Sequence, residues 1–102
     1  MKLIVVGSRS YRWTMDDLAR LQSINSTHEI SEVVTRGAPG AESLCEKWAQ
    51  QRGIPVKRFR SATTNQSIAE YADGVVLFPG AQDVESMARV AIELGLKVFD
   101  FR

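Results

Sequence analysis

With 102 residues, 44% of them hydrophobic, the chain is long enough for one compact domain spanning residues 1–102 and too short for two. Thirteen basic against twelve acidic residues leave a formal charge of +1, which gives no global field to steer a nucleic acid, so any electrostatic recognition has to be local. No apolar stretch nears the roughly 20 residues that span a bilayer, the amino-terminal apolar run is far shorter than a signal-peptide core, and a single cysteine excludes an internal disulfide framework, so a soluble, cytoplasmic protein is expected.

Leu3 to Val6 is an unbroken apolar run ending at Gly7, the pattern of a central strand buried on both faces. A polar loop, Ser8-Arg9-Ser10-Tyr11-Arg12, leads to Thr14, and Asp17 three residues later completes a helix-start signal. Met15, Leu18 and Ala19 follow with helical spacing, and Asp16 and Asp17 suit the positive end of the helix dipole, which predicts a helix from Thr14 to about Ser23 or a little beyond. Asn25 to Glu29 reads as a polar break, and His28 within it, lacking partners at metal-ligand spacing, as a surface loop residue.

Glu32 to Thr35 forms the second predicted strand, followed by Thr35-Arg36-Gly37-Ala38-Pro39-Gly40-Ala41-Glu42. A strand that stops at glycine and restarts as a helix leaves backbone N–H groups at the helix start, a place suited to an anion; an ordinary tight connection has the same pattern. Gly37 and Gly40 permit close approach or positive φ, and Pro39 tolerates a helix start. Ala41, Leu44, Cys45, Trp48 and Ala49 mark the buried stripe of the helix, closed by Gly53, with Cys45 a small core residue rather than a nucleophile.

Ile54 to Arg60 reads as a half-exposed edge strand. Ile68, Ala69 and Ala72 make a short helix beginning near Thr64 or Ser67, and Gly74 to Phe78 is a second fully apolar strand cut off by Pro79-Gly80. Val84, Met87, Ala88, Ala91 and Leu94 mark the last helix, ended by Gly95, before the alternating strand Leu96 to Phe101. Strand and helix alternate throughout, which calls for an α/β fold with a parallel sheet and helices on both faces. Placing the two most apolar strands side by side gives the order 3-2-1-4-5, with the ligand crevice at the carboxyl ends of strands one and four.

Arg9, Arg36 and Arg60 each follow a strand end on that edge, a local positive focus in a chain of nearly balanced charge. Neither a GxGxxG fingerprint nor a P-loop is present, no Ser-His-Asp set can be assembled, and no metal or cofactor is expected. Glu42 near the helix start has three open roles: holding a ribose hydroxyl, acting as a base, or serving the helix dipole.

Gly7-Ser8-Arg9, Arg36-Gly37-Ala38-Pro39-Gly40-Ala41-Glu42, Trp48-Ala49, Gly53-Ile54-Pro55-Val56 and Ala72-Asp73 together resemble the YspA-like branch of the SLOG superfamily, related to the lysine-decarboxylase-like LOG proteins and the Smf/DprA proteins. The resemblance implies a Rossmann-like three-layer α/β/α domain that binds a nucleotide or nucleotide-derived small molecule, and a homodimer. It matches Gly7, Ser8 and Arg9 to the first loop, Gly37 and Gly40 to the second, and Asn65 to the asparagine of an Arg-Asn pair in which Thr64 replaces the arginine. Glu42 stands where aspartate is usual. After Pro79-Gly80, Asp83 and Val84 replace the usual Gly-Thr and Met87 occupies the position of the LOG glutamate, so LOG-type hydrolysis is not supported. The expected ligand site is Gly7, Ser8, Arg9, Arg36, Gly37, Gly40, Glu42, Arg60, Asn65, Pro79 and Gly80. A nucleotide-binding sensor leads, with a nucleotide N-glycosidase and a protein-interaction module with a degenerate pocket as alternatives. Nucleic-acid binding ranks lower, Tyr11 and Trp13 being the only aromatics placed to stack a base.

Overall fold

The apolar run at the start of the chain forms strand β1 (Lys2–Val6), in which Leu3 to Val6 are all buried. The structure is a computed structural model that describes residues 1–80 and 82–102. Among the described residues the chain continues as α1 (Met15–His28), β2 (Glu32–Thr35), α2 (Ala41–Gln51), β3 (Val56–Arg58), α3 (Asn65–Tyr71), β4 (Gly74–Leu77), α4 (Gln82–Glu93) and β5 (Lys97–Asp100). All strand pairs are parallel and the order is β3-β2-β1-β4-β5, as the apolar runs require.

Side chains alternate across each strand, so the sheet feeds two cores. Leu3, Val5, Val33, Val76 and Phe78 pack against Leu21 and Ile24 of α1 and Ala41, Cys45, Trp48 and Ala49 of α2. On the opposite face Ile4, Val6, Val34, Val75 and Leu77 meet Ile68 and Ala69 of α3 and Val84, Met87, Ala88 and Ala91 of α4. The result is the Rossmann-like three-layer α/β/α arrangement. Complete burial of side chains such as Met87 and Leu77 contributes about 1.5–3 kcal/mol each.

Four local expectations need correction. The first helix does not stop near Ser23 but runs to His28, because its buried face is Asp17, Leu21 and Ile24, while Met15, at 80% exposed, and Ala19 point outward. Asn25 therefore belongs to the last turn, and its side chain accepts from the Ile30 N–H at 2.9 Å. His28 is not a loop residue: it is half-buried at the helix end, edge-on to Phe99 at 5.5 Å. The third strand is only Val56–Arg58, since Arg60 already turns toward α3, accepting from the Thr63 N–H. Leu94 lies just past the end of α4 and is 39% exposed rather than part of its buried stripe. The start of α1 is as expected, with Thr14 and Asp17 forming a reciprocal capping box.

Candidate functional site

Three loops at the carboxyl edge of the sheet interlock around Ser8. Its N–H donates to the Pro79 carbonyl at 2.9 Å, and its own carbonyl accepts from the N–H groups of Tyr11 at 3.2 Å and Ala41 at 3.3 Å. Gly40 makes this approach possible: it has φ 81°, and a Cβ there would sit 2.5 Å from the Arg9 carbonyl oxygen. At Gly7 a Cβ would come within 2.6 Å of Ala41 Cβ and 2.8 Å of Phe78 Cβ. A Cβ on Gly80 would meet the Val84 side chain and lie 3.1 Å from Ser8 N. The glycines serve close packing of the loops, Gly40 against backbone and Gly7 and Gly80 first against side chains.

Beside this frame lies a cavity of about 310 Å³, within the range of small-molecule sites. Gly7, Arg9, Arg36, Glu42 and Asn65, all expected at the site from the sequence, line it, together with Val6, Ala38, Ser61 and Asp83. Ser8, Gly40, Pro79 and Gly80 belong to the supporting backbone, and Gly37 borders β3 rather than the cavity. Arg60 is exposed and is not among the lining residues, because β3 ends two residues before it. Asp83 replaces the glycine that the resemblance would place there and puts a carboxylate at the rim. Val84 and Met87, also departures, are core residues of α4.

Arg36 is held in place. Its Nη2 donates to Asn65 Oδ1 at 2.7 Å and to the Thr63 carbonyl at 2.8 Å. Asn65 is set at the first position of α3 by Thr64, whose hydroxyl accepts from the Ser67 N–H. Asn65 thus has an arginine partner, supplied by the loop after β2 and not by the preceding residue. No hydrogen bond or ion pair of the Arg9 guanidinium is found among the described residues, and Arg9 is exposed at the cavity mouth.

Three amides of the loop after β2 have partners within the protein. Arg36 N–H donates to Glu42 Oε1 at 2.7 Å, Gly37 N–H to Thr35 Oγ1 at 3.1 Å, and Ala41 N–H to Ser8. The Arg36, Gly37 and Ala41 amides are thus committed within the protein, while Arg36 keeps guanidinium donors beyond those bound to Asn65 and Thr63. Glu42 is 8% exposed, and burial pushes its carboxyl above the usual value against the opposing pull of the Arg36 and Ala38 amides and the Arg36 charge. Cys45, one turn away, is buried and its thiol pushed well up by burial, which leaves it chemically inert.

A second network, spread over three elements, escapes the sequence pattern. Thr35 Oγ1 donates to Glu46 Oε2 at 2.5 Å, and Arg58 binds the same carboxylate through Nε at 3.1 Å and Nη2 at 2.5 Å. Arg58 also fills the space beside Gly37, where a Cβ would lie 2.6 Å from its Cδ. The sequence carries no signal for it: the network depends on the register that pairs Thr35 with Arg58 across β2 and β3, with Glu46 on the helix between them.

Tyr11 and Trp13 do not form a free stacking platform. Both pack on Phe78, with centroids at 5.4 and 5.9 Å, and Phe101 closes the cluster from a third side at 5.3 Å. The Tyr11 hydroxyl donates to Asp17 Oδ2 at 2.6 Å, a bond that, with burial and the Asp17 charge, pushes its pKa up to about 12. No group of acidic, histidine or cysteine side chains suited to a metal ion is found among the described residues. No helix among them is long and apolar enough to cross a membrane.

The model of the YspA, cpYpsA-related SLOG family matches residues 1–66 of the 102. The matched span runs from β1 into α3 and includes Arg9, Arg36, Glu42 and Asn65; the loop after β4 lies beyond it. No match was found among curated proteins or among solved structures.

Proposed function

The chain belongs to the YspA, cpYpsA-related SLOG family, and from that premise we propose that the cavity at the carboxyl edge of the sheet binds a nucleotide or nucleotide-derived anion, the protein serving as a sensor or binding protein. Family membership points to a nucleotide-related role in general. What carries the finer reading is the pairing of Arg36, immobilised by Asn65 and Thr63, with Arg9 at the mouth of one cavity. A guanidinium held before the ligand arrives loses little freedom on binding and presents its remaining donors in a fixed fork. Differential scanning fluorimetry against a panel of nucleoside mono-, di- and triphosphates tests this. At least one nucleotide should raise the melting temperature at millimolar concentration, and Arg36→Ala should lower its affinity by about tenfold or more. A silent panel removes the reading.

One observation favours hydrolysis as a second reading: Glu42 is a buried carboxyl lining the cavity, with its proton affinity raised, as a general acid or base requires. Release of free base from a nucleotide, lost in Glu42→Gln, is the expected signature, and a chromatogram with no base would remove it.

A further inference from the structure

The ionisable lining of the cavity is nearly self-neutral, and this bears on which anions enter. Arg9 from the loop after β1 and Arg36 from the loop after β2 carry positive charge; Glu42 on α2 and Asp83 on α4 carry negative charge. Behind Glu42 on α2 stands Glu46, whose charge is matched by Arg58 of β3. α3 contributes only the uncharged Asn65. A dianion entering such a site would bring its charge against a carboxylate that is 8% exposed and poorly screened.

A carboxylate offers about four acceptor positions, and the Arg36 amide occupies part of that capacity. What remains can accept a proton-bearing oxygen of a ligand. Ionised, Glu42 repels an anion with no proton to offer; with one proton held between carboxylate and ligand, the same contact becomes a charge-assisted hydrogen bond. We infer that Glu42 makes the site selective for an anion that carries a proton near neutral pH or can take one up there, so that hydrogen phosphate, or a phosphomonoester as its monoanion, is accepted and sulfate is refused, with one proton shared between Glu42 and the bound ligand. This rests on the anion-binding reading above and narrows it to phosphoryl groups.

Phosphomonoesters have a second pKa of about 6 and carry or recover the proton readily near neutrality, whereas sulfate is fully deprotonated there. The desolvation that already raises the proton affinity of Glu42 acts in the same direction. Glu42→Gln keeps a carbonyl acceptor for the Arg36 amide and removes the charge, so it separates electrostatic selectivity from loop architecture.

Inorganic phosphate and sulfate, matched in shape, are the probes, titrated calorimetrically into the wild-type chain and Glu42→Gln from pH 6 to 8 in two buffers of different ionisation enthalpy. The wild type should prefer phosphate over sulfate by about tenfold or more at pH 7, with little net proton uptake above the second pKa of phosphate, because hydrogen phosphate already carries the proton it shares. In Glu42→Gln the preference should collapse through a gain in sulfate affinity. A merely structural role for Glu42 would weaken both anions together and leave their ratio unchanged. Equal wild-type binding of the two anions, or a phosphate preference that survives in Glu42→Gln, overturns the inference while anion binding stands. Failure of both anions to bind either protein overturns the anion-binding reading itself.

Discussion

Glu42 and Glu46 are four residues apart on α2 and almost equally buried, at 8% and 6% exposed, yet the fold leaves them in opposite electrostatic conditions. Burial pushes Glu42 up, and the amides and the Arg36 charge offset it only in part. Burial would raise Glu46 as well, but hydrogen bonds from Arg58 and Thr35 and the Arg58 charge outweigh it and hold the carboxyl below its usual value. A guanidinium in two-pronged contact with a buried carboxylate decides its charge; the depth of burial alone does not. The loop after β2 thus has a finished side, where Thr35, Glu46 and Arg58 satisfy one another, and an open side, where Glu42, Arg36 and Arg9 line a cavity.

Gly40→Ala would damage both sides at once and should have the largest effect. A positive φ costs a side chain about 1–2 kcal/mol, and overpacking against the Ser8–Arg9 backbone adds about 1–3 kcal/mol. Urea unfolding should show a large drop in midpoint, and an unchanged midpoint would mean that the loops are not interlocked as described.

Glu46→Ala breaks only the finished side. It strands the buried Thr35 hydroxyl and should cost about 1–3 kcal/mol. The folded pKa of Glu46 lies below its unfolded value, so its stabilisation is present above the ordinary carboxylate range and is lost as pH falls through the folded value. The penalty of the substitution at pH 7 should therefore shrink in acid, and a penalty independent of pH would contradict the assignment.

Glu42→Gln should have the smallest effect on stability, within about 1 kcal/mol at pH 7, because one acceptor for the Arg36 amide survives. The sign is reversed from Glu46. With its folded pKa raised, Glu42 contributes stability below its unfolded pKa that is lost as pH rises through the folded value. The variant should gain on the wild type from acid to neutral pH, and melting curves across that range check the direction.

The strand order was legible because Leu3–Val6 and Val75–Phe78 are apolar without a break, which only central strands of such a sheet tolerate. The length of α1 was not, because Ser23, Ser26 and Thr27 are polar at exposed positions, and the contacts that keep that part of the helix on the core are buried Ile24 and half-buried His28 against Phe99. The convergence of Arg9 and Arg36 followed from topology, since both follow strand ends on one edge. The satisfaction of the Arg36, Gly37 and Ala41 amides did not follow from it, because acceptors such as Ser8, Thr35 and Glu42 are placed by tertiary packing and by the helix turn, not by the glycine spacing that suggested an anion cradle. The Thr35–Glu46–Arg58 network stayed hidden for a related reason: its members come from three elements, and their proximity emerges only once β2 and β3 are in register.

The central claim is that guanidinium side chains, and not the glycine-loop amides, grip the ligand. Crystallography of the protein with a nucleoside monophosphate tests it most directly. The account predicts phosphate oxygens at about 2.7–2.9 Å from the guanidinium groups of both Arg9 and Arg36, with the Arg36–Asn65 hydrogen bond intact. A phosphate seated on the Gly37 and Gly40 amides with both guanidinium groups turned away, or a nucleotide bound elsewhere on the molecule, would contradict it.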